Sequence, residues 1–143
     1  MAGIIKMLKP YALYIAFLQA WAAMLGSLYF SEIKQLPPCQ LCWYQRILMY
    51  PMSVLFAVAI LRRDRNVAYY ALPLSVLGIL ISFYQYLLQM TPLKEATPIS
   101  CSNLGQCSAI DLIFFGFITI PFLSFLAFST ITIMMFIIIR KGK

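Results

Sequence analysis

Histidine is absent from this 143-residue chain. Its absence removes mixed cysteine and histidine zinc sites, histidine-ligated haem and any histidine general base together. Charge is nearly as scarce: charged residues make up 10% of the sequence and hydrophobic residues 63%, with a mean hydropathy of +0.88. Those values lie far from soluble averages, so a water-soluble core is not the default. Internal repeats, domain linkers and low-complexity tracts are missing as well. The net charge of +7 does not point to nucleic acid, because that partner requires a basic surface on a soluble module.

What the chain does have is long apolar runs. A bilayer core about 30 Å thick needs roughly 20 apolar residues per helix, and four segments approach or meet that length. Residues 11–30, 67–90 and 112–139 are uncharged, and 43–61 carries only Arg46, near its start. Backbone groups at membrane depth must be satisfied within each helix, so the runs predict one integral membrane domain over 1–143, an all-α bundle of four transmembrane helices. The flanks predict its orientation. Lys6 and Lys9 precede the first run, Arg62, Arg63 and Arg65 separate the second from the third, and Arg140, Lys141 and Lys143 follow the fourth. An even number of spans puts these on one face, which the positive-inside rule makes cytoplasmic together with both termini. External loops then fall at about 31–42 and 91–111. Lys6, Lys9 and Ala20-Trp21-Ala22 mimic a cleaved signal peptide, but the apolar run continues to Phe30 with no polar region after the triplet, so it reads as a retained helix.

Smaller signals refine this outline. Pro10 suits the first turn of helix one, where a missing N–H costs nothing. SEIKQLPP reads as a short external loop with a stiff end that delivers Cys39 in a defined direction. Pro51, Pro73 and Pro121 fall within helices two, three and four, as packing kinks that membrane bundles tolerate. The second external loop, TPLKEATPISCSNLGQC, is too polar to enter lipid, and Ser108-Ala109-Ile110-Asp111 resembles a capping box that starts helix four.

All four cysteines, Cys39, Cys42, Cys101 and Cys107, fall in the two external loops or at their helix mouths. The topology read from charge alone therefore places every thiol where disulfides form and persist. Four cysteines permit three pairings; the spacing favours Cys39 with Cys42 and Cys101 with Cys107, and proximity of the loops also allows a pair between them. A C-x-x-C pair entering a helix is a redox device because the helix N-terminus stabilises thiolate, the reactive form. Arg46, four residues after Cys42, lies one turn deeper on the same face and keeps its charge there. It can hold negative charge at Cys42 or on an acceptor beside it, or it can be a snorkelling topology residue on the less basic face. The cysteines have competing readings too: structural disulfides that staple the loops, or a four-cysteine zinc site, which the C-x₅-C half and the oxidising side disfavour. No metal is expected.

Residues Pro38-Cys39-Gln40-Leu41-Cys42-Trp43-Tyr44-Gln45-Arg46 resemble the P-C-x-L-C-x-[YW]-[EQ]-R signature of the DsbB family, quinone-dependent membrane oxidases of thiol–disulfide proteins. The resemblance extends to the whole chain, with four spans, cytoplasmic ends and two external cysteine pairs. The short C-x₅-C pair resembles the compact BdbC-type members of Gram-positive bacteria. The resemblance implies a multi-pass protein of the bacterial cytoplasmic membrane with its redox loops on the extracytoplasmic side. It implies Cys39 and Cys42 as the quinone-side pair and Cys101 and Cys107 as the pair facing a thioredoxin-fold, DsbA- or BdbD-like oxidase. That partner attacks Cys101, Cys107 attacks Cys39, and Cys42 is left as a thiolate facing the quinone, which Arg46 binds. Menaquinone suits the compact type and ubiquinone the others. Well-known Gram-negative members separate the second pair by a much longer segment; with five residues between Cys101 and Cys107, exchange requires the two pairs to lie close already.

Two alternatives belong to other classes. One is a non-catalytic four-helix membrane protein with disulfide-stapled external loops. The other is a quinone-linked reductase of the vitamin K epoxide reductase type, whose quinone-side C-x-x-C falls late in the bundle; here it opens helix two, which argues against. Tyr84, Gln85, Tyr86 and Gln89 suit a quinone pocket, and an interfacial aromatic belt explains the tyrosines equally well. Trp43 and Tyr44 are further candidates to flank a quinone.

Overall fold

The computed structural model describes residues 3, 4, 7, 10–35, 40–90 and 119–140, with the side chain of Met90 excepted. As the four apolar runs predict, these residues are helical, with no strand among them. Helix α1 is Ala12–Leu28 and continues through a π-helical turn, Tyr29–Ile33; α2 is Gln40–Arg62, α3 Val67–Met90 and α4 Ile120–Arg140. All four, α1 taken together with its π-helical turn to Ile33, are long and apolar enough to cross a membrane; at about 1.5 Å per residue each then reaches across a ~30 Å hydrocarbon core.

The helices pack in a ring, α1 on α2, α2 on α3, α3 on α4 and α4 back on α1. Small residues allow the close approach. Ala12, Ala16 and Ala20 recur every four residues on α1 and are fully buried, as are Ala68 and Ala71 on α3. Such stripes let backbones meet where lipid offers no hydrophobic drive for association. The larger core side chains are Met52 and Phe56 of α2 and Phe128, Ile131 and Met135 of α4. Gly78 of α3 faces Phe128 so closely that a methyl group built there would fall against the ring. Deeper in the same interface, Thr132 donates to Ser75 Oγ at 2.9 Å, and Ser75 donates to Leu72 O at 2.9 Å. Leucine, valine and isoleucine side chains such as Leu18, Val54, Leu61, Leu80 and Ile133 point outward, a surface that only lipid solvates well.

Helices α2 and α3 are joined by a tight turn. Asp64 N–H bonds to Ala59 O at 2.9 Å and Arg63 N–H to Ile60 O at 3.3 Å, the paired bonds that close a helix when the residue past its end turns left-handed. Arg63 does so at φ 54. Asp64 Oδ1 then accepts from Asn66 N–H at 2.8 Å, and α3 begins.

Pro51 and Pro73 lie inside α2 and α3. Pro121 does not interrupt a helix. Where the apolar run predicts one helix from 112, Thr119 is not helical, α4 starts at Ile120 and Pro121 occupies its first turn, where no N–H is needed. Residues 112–118 and the proposed cap at Ser108 lie outside the described residues.

Candidate functional site

The end of α1, the start of α2 and the end of α3 meet at one end of the bundle. The sulfur of Cys42 sits there in the first turn of α2, among backbone N–H groups that have no partner earlier in the helix. Cys42 is half-buried and packs on an apolar patch made by Leu41 and Leu88, with Ile81 beside it. Its sulfur accepts a hydrogen bond from Gln85 Nε2 at 3.3 Å. Gln85 Oε1 in turn accepts from Gln45 Nε2 at 2.7 Å. Gln45 and Gln85 are 7% and 2% exposed, and their bond matters because burying such a group without a partner costs on the order of 1–3 kcal/mol.

Arg46, one turn after Cys42, reaches to α1 instead. Its Nε–H donates to Ser27 Oγ at 2.8 Å, one terminal nitrogen donates to Ser27 O at 2.9 Å, and the other to Ser31 Oγ at 3.5 Å. Ser27 and Ser31 stand four apart on one face of α1, at the point where the helix widens into its π-helical turn and Lys34 N–H bonds to Tyr29 O at 3.3 Å. Such turns recur at functional sites because they shift carbonyls out of the regular ladder. The guanidinium also lies over the Trp43 ring, 5.6 Å from its centre, in the geometry of a cation–π contact. Arg46 is therefore anchored by neutral oxygens and an aromatic face. Of its five N–H donors, these bonds occupy three, which leaves two without a partner among the described residues.

Of the residues singled out from the sequence, Cys42 and Arg46 lie at this end, on adjacent turns of α2. Cys39, Cys101 and Cys107 lie outside the described residues. Trp43 and Tyr44 are exposed, Trp43 beneath Arg46. The candidates on α3 separate: Tyr84 is 37% exposed, Gln85 points inward, and Tyr86 packs on Phe122 of α4 with ring centres 5.8 Å apart. Sequence reasoning missed the roles of Ser27, Ser31 and Gln45. The serine pair four residues apart near the end of the first run was a usable signal, since a half-buried arginine within an apolar run must find oxygens. No metal-ligating cluster of three or more side chains occurs among the described residues.

Comparison with known proteins gives the family. The model of the family described as disulfide bond formation protein DsbB matches residues 9–138. A "Probable disulfide formation protein" of Coxiella burnetii is 50% identical over 124 residues, covering 87% of this chain and 84% of the relative. A "Probable disulfide formation protein C" of Halalkalibacterium halodurans is 48% identical over 127 residues, 88% of this chain and 91% of the relative. A "Probable disulfide formation protein C 1" of Bacillus anthracis is 42% identical over 133 residues, 93% and 95%. No solved structure matches the chain. A four-helix membrane bundle with a C-x-x-C thiol at a helix mouth, matched by that family model over nearly its whole length, belongs to the DsbB family of disulfide-forming oxidoreductases.

Proposed function

We propose that this chain reoxidises an extracytoplasmic, thioredoxin-fold oxidase of the DsbA or BdbD kind and passes the electrons to a membrane quinone, menaquinone or ubiquinone. The observation that carries this reading is the setting of Cys42: a sulfur at a helix N-terminus, with an amide donor on it from α3 and a guanidinium one turn away. Each of these groups favours negative charge on or beside the sulfur.

The relay runs through four thiol–disulfide exchange steps. A partner thiolate attacks Cys101 of the Cys101–Cys107 disulfide, forming a mixed disulfide and releasing Cys107 as thiolate. Cys107 attacks Cys39, which forms a Cys39–Cys107 bond and releases Cys42 as thiolate. The partner's second thiolate closes its own disulfide and frees Cys101, which attacks Cys107, restoring the outer disulfide and releasing Cys39. Two electrons now rest on Cys39 and Cys42. A quinone bound beside Cys42 supplies the acceptor for two electrons and two protons.

The residues present fit such a group. Two N–H donors of Arg46 remain for a carbonyl oxygen, and Trp43 offers an exposed ring beside it. Ser82, one turn before Gln85 on α3, has a buried hydroxyl without a hydrogen-bond partner among the described residues, a polar atom that calls for an explanation of this kind. The basic end of the bundle, with Arg62, Arg63, Arg65 and Arg140, supports a cytoplasmic placement for that end and an extracytoplasmic one for Cys42, in the bacterial cell membrane.

The test is quinone reduction by the purified protein, followed optically in detergent with a reduced thioredoxin-fold oxidase as donor. Turnover that disappears in Cys42→Ser is the expected result. No turnover by the wild type with any of several donors and quinones, while the cysteines resist mild reductant, would replace the relay with stapled loops.

A further inference from the structure

We propose that Gln85 is the hydrogen-bond donor that holds negative charge on the Cys42 sulfur, and that Gln45 is the positioning residue that sets the direction of its amide. The inference deepens the assignment of Cys42 as the quinone-side thiolate and rests on it.

A glutamine amide is ambivalent. Turned one way it offers the sulfur two N–H donors; turned the other it offers a carbonyl oxygen, which repels a thiolate. The direction here is set from the far side. Gln45 donates its Nε2–H to Gln85 Oε1 at 2.7 Å, deep between α2 and α3. That leaves Gln85 Nε2 to face Cys42 Sγ at 3.3 Å. Reversing Gln85 would set two NH₂ groups against each other and a carbonyl against the sulfur, in a site where neither amide reaches bulk water. The relay also spans two helices: Gln45 lies three residues after Cys42 on α2, so both ends of the chain of bonds are on one helix and its middle is on the other. Helix α3 thereby fixes the sulfur's orientation as well as its charge. Arg46 is engaged on the opposite side, by Ser27 and Ser31 of α1, so the amide donor and the cation act on the site from different helices.

The consequence is a division of labour between neighbouring residues, Gln45 facing α3 and Arg46 facing α1. Hydrogen bonds to charged groups are about twice as strong as neutral ones, so loss of the donor shows directly in the reactivity of the thiolate.

The experiment measures alkylation of Cys42 by iodoacetamide at neutral pH in the full-length protein in detergent, with Cys39→Ser, Cys101→Ser and Cys107→Ser leaving one thiol. Gln85→Glu keeps the shape and still accepts from Gln45, but presents oxygen to the sulfur. It is expected to slow alkylation about tenfold or more. Gln45→Leu removes the donor to Gln85 Oε1 and is expected to slow it about threefold. Ser75→Ala, in the middle of the bundle, leaves the rate unchanged. Alkylation of Gln85→Glu at the wild-type rate or faster overturns the proposal. If that variant does not fold, Gln45→Leu decides: a slower rate supports the positioning role, and an unchanged rate removes it. Because alkylation needs neither quinone nor partner, a wild type that reduces no quinone while keeping this order of rates sinks the relay and leaves the donor role standing.

Discussion

The two ends of the bundle solve the problem of polar groups in a membrane in opposite ways. At the end with Arg62, Arg63, Arg65 and Arg140, the polar residues are charged, exposed and local, and the turn between α2 and α3 closes on bonds within a few residues of each other. At the Cys42 end the polar groups are mostly neutral and inward, and their bonds join helices far apart in sequence: Gln45 with Gln85, Arg46 with Ser27. The first arrangement costs little and is tolerant, because water satisfies whatever the protein does not. The second is costly unless every member is paired, and a chain that keeps it is maintaining a site.

This contrast is broken most sharply by removing one arginine from each end. Arg46→Leu deletes three hydrogen bonds and the remaining donors offered to a ligand. It is expected to raise the quinone KM about tenfold or more in the optical assay, since bonds to a charged group contribute about 1.5–3 kcal/mol. Arg140→Leu, whose guanidinium lies over Phe136 at 5.8 Å, leaves turnover within about twofold, as an exposed contact contributes ~1 kcal/mol or less. Equal effects from the two variants would mean that the ends differ in appearance only.

A change midway between the ends separates packing from chemistry. Gly78→Ala sets a methyl group against the buried Phe128 ring, and overpacking of this kind costs about 1–3 kcal/mol. The thermal midpoint in detergent is expected to fall, while turnover per folded molecule stays at the wild-type value because no group at the Cys42 end is touched. A fall in turnover without a fall in midpoint would place Gly78 in the site's machinery.

The same contrast explains how much could be read in advance. Four apolar runs were enough for the architecture, since a membrane leaves a helix no alternative. The C-x-x-C and Arg46 were conspicuous enough to name a candidate site, and Cys42 and Arg46 lie on adjacent turns of α2. Gln85 stood among four candidates for a quinone pocket, but its bond to the Cys42 sulfur was not legible. In water, polarity marks the outward face of a helix; in lipid both faces are apolar, so the periodicity that would separate Tyr84 from Gln85 is weak, and the two differ at 37% and 2% exposed. Ser27 was hidden for a related reason: it acts partly through its carbonyl, which side-chain identity does not report. The start of α4 was obscured because Thr119 and Pro121 interrupt neither the hydropathy nor the run of uncharged residues.

The smallest expected effect concerns a feature that both ends share. Arg63, after α2, and Gln35, after α1, adopt left-handed backbone at φ 54 and φ 56, a conformation that costs a residue with a Cβ roughly 1 kcal/mol and glycine almost nothing. Glycine also loses more freedom on folding, so the net gain from Arg63→Gly is expected to be about 0.5 kcal/mol, visible as a rise of a degree or two in the thermal midpoint. The corresponding change at the other end gains less. Gln35 Nε2 donates to Glu32 O at 3.2 Å, and Gln35→Gly gives up that bond, an exposed one whose loss offsets much of the relieved strain. If Arg63→Gly lowered the midpoint instead, the arginine side chain would be holding the α2–α3 turn, and the basic end would be as specifically built as the Cys42 end.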